Sequence, residues 1–316
     1  MILVTGSAGF IGYHLCKALL ERGDAVVGMD NLNDYYDVSL KQDRLAQLEK
    51  YDNFSFRKLD LCDKDGLTGL FQEFKFTKIC HLAAQVGVRY SLVNPHAYQK
   101  SNLEGFLNII EQARLAEAEN FVYASSSSVY GNNKKIPFST DDPCDEPISF
   151  YASSKRSNEL TAHVYNHLYG LKATGLRFFT VYGPWGRPDM APFIFTRKIL
   201  NGEAIDVYGR GKMKRNFTYV DDIVQGVVLC LDKPKPYAIY NIGNDRTEEL
   251  EYFISVVEKW TGEKAIRNEM DAQPGEMTET WADIEPIKND YGYRPTTRID
   301  EGMKKFIDWY RSYYKI

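Results

Sequence analysis

Cysteine is sparse in this chain of 316 residues: Cys16, Cys62, Cys80, Cys144 and Cys230 are scattered, odd in number and never spaced as CxxC. Neither a zinc site nor a disulfide framework follows, so no metal is expected and a reducing compartment fits best. A basic excess is missing too, since 39 Lys and Arg stand against 43 Asp and Glu. With no surplus of positive charge to meet phosphates or anionic lipids, neither a nucleic acid nor a membrane is an expected partner. No apolar run approaches the roughly 18 residues of a membrane helix, and no charged leader precedes the opening strand "MILVT". Repeats, low-complexity tracts and long like-charge runs are absent as well. The expectation is a soluble, cytoplasmic protein long enough to bury a sizeable core.

What the chain does contain is an alternation of two periods over residues 1–180. Short β-rich runs read "MILVT", "AVVGMD", "FSFRKLD", "KICHLAA", "NFVYASS" and "ATGLRFF", with helical stretches between most of them. In "NLEGFLNIIEQARLA", Leu103, Phe106, Leu107 and Ile110 fall on one helix face. Alternating strands and helices predict a Rossmann-type doubly wound α/β fold, with a parallel sheet and ligands at the strands' carboxyl ends. After residue 180 the pattern loosens. One helix ("PFIFTRKILNG") and one strand ("AIDVYG") fall in 181–216, and "TYVDDIVQGVVLCLDK" with "YAIYNIG" reads as a helix–strand unit returning to the sheet. Two interleaved domains are therefore expected: residues 1–180 plus about 217–247, and a smaller α/β substrate domain from about 181–216 plus 248–316.

"VTGSAGFIG" follows the first strand and opens a helix, with Gly6, Gly9 and Gly12 spaced as GxxGxxG. Glycines there allow a tight turn, a close approach to a pyrophosphate and close helix packing, and the helix N-terminus favours anionic oxygens. Asp30 ends the second strand, where a carboxylate can accept both adenosine ribose hydroxyls and repel a 2′-phosphate. NAD is thus favoured over NADP. Asp60, closing the third strand in "KLDLCD", is a candidate for the adenine, or else an ordinary strand-end residue.

"YASSK" puts Tyr151 and Lys155 one helical turn apart on one face. A free tyrosine phenol loses its proton only at about pH 10 and is a poor base at neutral pH. An ammonium one turn away, with the positive nicotinamide of NAD, favours the phenolate and makes Tyr151 a usable acid–base. "ASSSSVYG" at 124–131 places hydroxyls at the carboxyl end of the preceding strand, where a parallel sheet presents its ligands. Each string alone is common; their joint occurrence argues for a site. His163 and His167, one turn apart, lack a third partner and are read as structural.

Taken in order, GxxGxxG, "HLAA" (81–84), the serine run before VYG, and YxxxK resemble the extended short-chain dehydrogenase/reductase superfamily over essentially the whole chain. Within it, "DNLNDYYD" (30–37), "HLAAQVGVRYS" (81–91), "RFFTVYGPWGRPDMA" (177–191) and "NFTYVDDIV" (216–224) are most similar to the UDP-glucuronate 4-epimerases. The resemblance implies that Ser126 hydrogen-bonds the sugar 4-hydroxyl, that Tyr151 is the base, and that Lys155 is its partner and a ribose ligand. It also implies that Gly6, Gly9, Phe10, Ile11 and Gly12 line the pyrophosphate, and that Asp30, Asn31, Asp60, Leu61, Ala83 and Asn102 meet NAD. Tyr208 would hold the uracil and Arg215 the diphosphate. Two positions depart from relatives: Asn216, where many carry Asp, and Gln273, where UDP-galactose 4-epimerases carry an arginine on the diphosphate. A homodimer through 95–116 and 149–169 is also implied.

Relatives diverge after hydride leaves sugar C4. Dehydratases place an Asp-Glu pair after the catalytic Ser/Thr, which "SSSVYG" lacks, and decarboxylases carry a glutamate where this chain has Ser128. Epimerisation remains, in which the 4-keto sugar turns over and takes the same hydride back. A 4-keto glucuronate is a β-keto acid that loses CO₂ when its carboxylate bond lies perpendicular to the carbonyl. Donors that keep the carboxylate near the carbonyl plane suppress that loss. Arg187, Ser127, Ser128 and Thr180 are the candidates, with Arg89 a second choice for the cation and Trp185 and Phe193 as pocket walls. The guanidinium fork of Arg187 suits both oxygens of a carboxylate. The competing readings are a UDP-glucose or UDP-N-acetylglucosamine 4-epimerase, a UDP-glucuronate decarboxylase, and a non-catalytic NAD(H)-sensing module.

Overall fold

The structure, a computed structural model, describes residues 1–271 and 279–316; Gln273 lies outside the described residues. The first part of the chain runs β1 Ile2–Thr5, α1 Phe10–Glu21, β2 Val26–Asp30, α2 Val38–Leu48, β3 Phe54–Lys58, α3 Lys64–Glu73, β4 Lys78–His81, α4 Val88–Val93, α5 Pro95–Tyr98, α6 Gly105–Leu115, β5 Asn120–Ser126, α7 Phe150–Tyr169 and β6 Ala173–Phe178. Then follow β7 Thr180–Tyr182, α8 Ala191–Leu200, β8 Ile205–Tyr208, β9 Lys214–Arg215, β10 Phe217–Tyr219, α9 Val220–Asp232 and β11 Tyr237–Ile242. The last elements are β12 Glu248–Glu249, α10 Leu250–Thr261, β13 Arg267–Met270, α11 Glu285–Tyr291 and α12 Ile299–Tyr314.

Seven strands make one parallel sheet in the order β11-β6-β5-β4-β1-β2-β3, the doubly wound α/β class expected from the sequence. Its strands are nearly continuous apolar runs because both faces are covered. Ile2, Val4, Cys80 and Val122 face α1 and α9, while Leu3, Ile79 and Phe121 face α3, α6 and α7. From β1 the order runs outward to β3, and from β4 it runs the other way to β11. At such a reversal the connections diverge and leave a crevice at the carboxyl ends.

β11 joins β6 from Tyr237 opposite Ala173 to Ile242 opposite Phe178, so the α9–β11 unit returns to the main sheet. Other late elements add no strand to it: β8 pairs with β13, and α8, α10 and α12 surround Phe193, Phe195, Phe253, Phe306 and Tyr310, in a core continuous with that on the α1 and α9 face of the sheet. One helix face differs from expectation. In α6 the core takes Phe106, Ile109, Ile110 and Ala113, and Leu107 stands 49% exposed. Neighbouring residues on a helix point about 100° apart, so Phe106 and Leu107 cannot both lie at the centre of one buried face.

Candidate active site

A cavity of about 510 Å³ opens along the carboxyl ends of β1, β2, β4 and β5. At one end the loop from β1 to α1 turns at Gly6, whose φ is +73°. A Cβ at Gly12 would stand 2.0 Å from the Gly6 carbonyl oxygen, so only glycine lets α1 begin so close to the strand. Gly6, Gly9, Phe10, Ile11, Gly12, Asp30, Asn31, Asp60, Leu61 and Ala83 all line this end. Asp30 is buried, and its Oδ1 accepts the Leu32 N–H at 2.8 Å. Burial opposes charge on Asp60, but hydrogen bonds from Asn31 Nδ2 and the Cys62 N–H hold its carboxyl below the usual range. A cradle that a Cβ would fill, an α1 N-terminus with no side-chain cap and a carboxylate at the end of β2 together fit a dinucleotide of the NAD type.

Asn102 is not part of that wall. Its side chain is buried and consumed by Gln85, accepting the Gln85 N–H at 2.8 Å and donating to its carbonyl at 3.0 Å and to Ser154 Oγ at 3.0 Å. It positions the segment after β4, which does line the cavity, and has no amide hydrogen left for a cofactor.

At the other end, α7 presents Tyr151 and Lys155. Ser149 caps this helix by accepting the Ala152 N–H at 3.1 Å, so Tyr151 falls in its first turn. Ser126, the last residue of β5, faces them, and its Oγ lies 3.1 Å from Ser128 Oγ and accepts the Ser128 N–H. Lys155 donates to the Ala124 carbonyl at 2.9 Å, and burial lowers its ammonium to about 8, with Glu159 opposing the drop. Burial raises the Tyr151 phenol above its ordinary value, while the Ser126 hydroxyl and the Arg187 charge pull it back. The sequence pointed to Lys155 as the cation acting on the phenol. In the structure Arg187 bears on the phenol too, and the Lys155 ammonium donates to a backbone carbonyl.

Arg187 follows β7, which pairs with β10 beside the main sheet. It lines the cavity with Ser127, Ser128, Thr180 and Arg215, so four separate segments converge on one wall. Its Nε donates to Asp189 Oδ1 at 3.0 Å, and this partner, against the cost of burial, raises the guanidinium above its ordinary value. The two expected wall residues lie outside the described lining, as do Tyr208, expected at the uracil, and Arg89. Trp185 packs on Tyr13, Trp309 and Tyr313, and Phe193 on Phe306 and Tyr310, because α12 closes over the loop and makes core of those rings. Tyr208 ends β8, whose pairing with β13 draws it from the described lining, and Arg89 is exposed on α4.

Several supporting residues escaped the sequence reading. Arg44 is fully buried, and its Nη1 donates to the Ala8 carbonyl at 2.9 Å and its Nη2 to the Trp185 carbonyl at 2.6 Å. It therefore ties the glycine loop to the loop that carries Arg187. Glu159, also fully buried, accepts from Ser125 Oγ at 2.6 Å and from both forks of Arg177 at 2.8 and 2.9 Å. Of the four serines only Ser125 is spent in this way. A charged residue in an otherwise amphipathic helix gives no sign that it points inward; the one available hint was a second arginine inside an apolar strand, Arg177 in "ATGLRFF".

Comparison with known proteins agrees with this geometry. The model of the NAD dependent epimerase/dehydratase family matches residues 2–243. UDP-glucuronate 4-epimerase 1 of Arabidopsis thaliana is 47% identical, over 99% of this chain and 77% of that protein. Protein CapI of Staphylococcus aureus is 50% identical over 99% of both chains. The crystal structure of UDP-glucuronic acid 4-epimerase from Bacillus cereus, in complex with UDP-glucuronic acid and NAD, superposes with a TM-score of 0.92 at 35% identity and covers 99% of both chains. With a glycine cradle, a Ser–Tyr–Lys constellation and a match that runs through both, the chain belongs to the NAD dependent epimerase/dehydratase family.

Proposed function

We propose that this protein converts UDP-glucuronate to UDP-galacturonate by NAD-dependent epimerisation at C4, through a transient 4-keto sugar. The observation that carries the substrate is the presence of Arg187 in the same cavity as Ser126 and Tyr151, with its charge felt at the phenol. A C5 carboxylate can take the N–H donors of Arg187 that Asp189 leaves over as charge-assisted hydrogen bonds, which a neutral sugar cannot match. Relatives that act on UDP-glucuronate, in Arabidopsis thaliana and Bacillus cereus, support the same reading.

The glycine cradle would hold NAD, which would supply the hydride acceptor for this chemistry; Asp30 would orient its adenosine ribose and the α1 N-terminus would meet its pyrophosphate. Ser126 hydrogen-bonds the 4-hydroxyl and aims it at Tyr151, which removes the hydroxyl proton as hydride leaves and returns it afterwards. Lys155 holds positive charge beneath the site. Arg187, Ser127, Ser128 and Thr180 hold the carboxylate near the plane of the keto group, which blocks decarboxylation while the sugar turns, and Arg215 anchors the diphosphate about which it turns.

In this reading residues 1–180 with about 217–247 serve NAD, and about 181–216 with 248–316 serve the nucleotide sugar. The protein works as a homodimer through α6 and α7. Five free thiols support a reducing, cytoplasmic setting, and among the described residues no helix is long and apolar enough to cross a membrane.

Proton NMR of UDP-glucuronate incubated with the purified protein, with and without added NAD, tests the reaction. The expected product is UDP-galacturonate with its carboxylate intact. Tyr151→Phe should slow turnover by about 10²–10⁴-fold, the usual range for a lost acid–base group, with NAD still bound. A decarboxylated pentose as product, or turnover of UDP-glucose alone, would overturn the assignment.

A further inference from the structure

Part of the Arg187 fork is already in use. Nε and Nη2 donate to the two oxygens of Asp189 at 3.0 and 2.5 Å, which occupies one edge of the guanidinium and uses two of its five N–H donors. Asp189 also accepts the Tyr35 hydroxyl at 3.2 Å. Tyr35 lines the cavity, and a Cβ on Gly87 would come within 2.6 Å of its oxygen, so a bare glycine makes room for that bond. The loop is braced from behind. Trp185 adopts a left-handed backbone, φ +61°, with its carbonyl held by Arg44 and its ring packed among Tyr13, Trp309 and Tyr313. Asp189 is not among the described residues that line the cavity and so acts through Arg187.

We propose that Asp189 is a specificity-determining positioning residue, which occupies the Nε–Nη2 edge of Arg187 so that a sugar carboxylate meets the terminal end of an already partly neutralised guanidinium. The inference rests on the UDP-glucuronate reading above and refines it. Epimerisation requires the keto sugar to turn over between two hydride transfers, so its carboxylate must be released and taken up again. A guanidinium with no carboxylate of its own would grip the sugar carboxylate with its full charge and more tightly in the ground state. Such uniform binding lowers KM without speeding the chemistry, and it slows the turn. By sharing Arg187, Asp189 keeps the grip selective for an acid yet weak enough to let go. A neutral sugar gains little from the change in either direction.

Asp189→Asn tests this, because it keeps an oxygen acceptor and the side-chain size while removing the charge. For UDP-glucuronate, KM should fall about fivefold, the scale of a part-exposed charge interaction, and kcat should fall with it. Inhibition by UDP alone and the melting temperature should stay as in the wild type, and Asp189→Glu should restore wild-type kinetics. A merely structural role would instead raise KM or lower the melting temperature. If KM is unchanged or higher in Asp189→Asn while the wild type epimerises UDP-glucuronate, the role of Asp189 is wrong and the function stands. If the wild type does not turn over UDP-glucuronate at all, the underlying reading fails first. Asp189→Ser, read by the same KM, decides the matter should the Asn variant not fold.

Discussion

At the level of single residues, Lys155 shows how burial converts a spacing into chemistry. Its place one turn after Tyr151 is visible in the string YxxxK, but its ionisation is not. Burial brings the ammonium down to about 8, and only the Glu159 charge opposes the drop. Rising pH removes the proton as it passes the folded-state value, so the cation is present below about 8 and lost above it. The pH profile of kcat/KM should accordingly bend downward above a limb near pH 8. In Lys155→Arg, whose guanidinium stays charged, the limb should vanish even though the rate is lower. A limb that persists there would assign the titration to another group. Arg187 shows the opposite case: residue type and sequence position suggested a carboxylate ligand, but not that one edge is held by a neighbour two residues on.

Among the elements, α7 carries Tyr151 and Lys155, the proposed reacting pair, and its register against the sheet decides whether they meet Ser126. Glu159 sets that register. From α7 it binds Ser125, next to Ser126 on β5, and both forks of Arg177 on β6. Removing its charge leaves Arg177 buried without a counter-ion, and breaking a buried pair from one side costs about 3–5 kcal/mol. Urea denaturation of Glu159→Gln should show a loss of this size. An unchanged midpoint would mean that the helix is held by its apolar face alone. α6 gives a plainer lesson. Its period was readable, but which apolar residues face the core depends on where the sheet lies, and Leu107 was left outside.

For the molecule as a whole, the outer stripe of α7 exposes Leu160, Val164 and Leu168 at successive turns, and neighbouring α6 exposes Leu107 and Leu115. Contiguous exposed apolar area of this kind is what an interface would cover. With both helices offering the same face, a twofold pairing of identical copies would bury it. Sedimentation equilibrium should find a dimer, and Leu168→Glu should shift it to monomer; a wild type that sediments as a monomer at micromolar concentration would count against the pairing.

Features whose geometry is complete within a few residues were legible in the chain alone: the glycine turn before α1, the Tyr151–Lys155 spacing, the carboxylate ending β2, and the strand–helix alternation that makes the sheet parallel. Local sterics and periodicity are enough for these. It took the folded arrangement to establish that Arg44 bridges Ala8 to Trp185, that Tyr35 reaches Asp189, that Asn102 hydrogen-bonds Gln85, and that Trp185 and Phe193 became core. Those pairings cross from one segment to another far along the chain. Which polar group finds which partner is settled only once the sheet order and the closing of α12 bring the segments together, because a buried donor must then take whatever acceptor the fold places beside it.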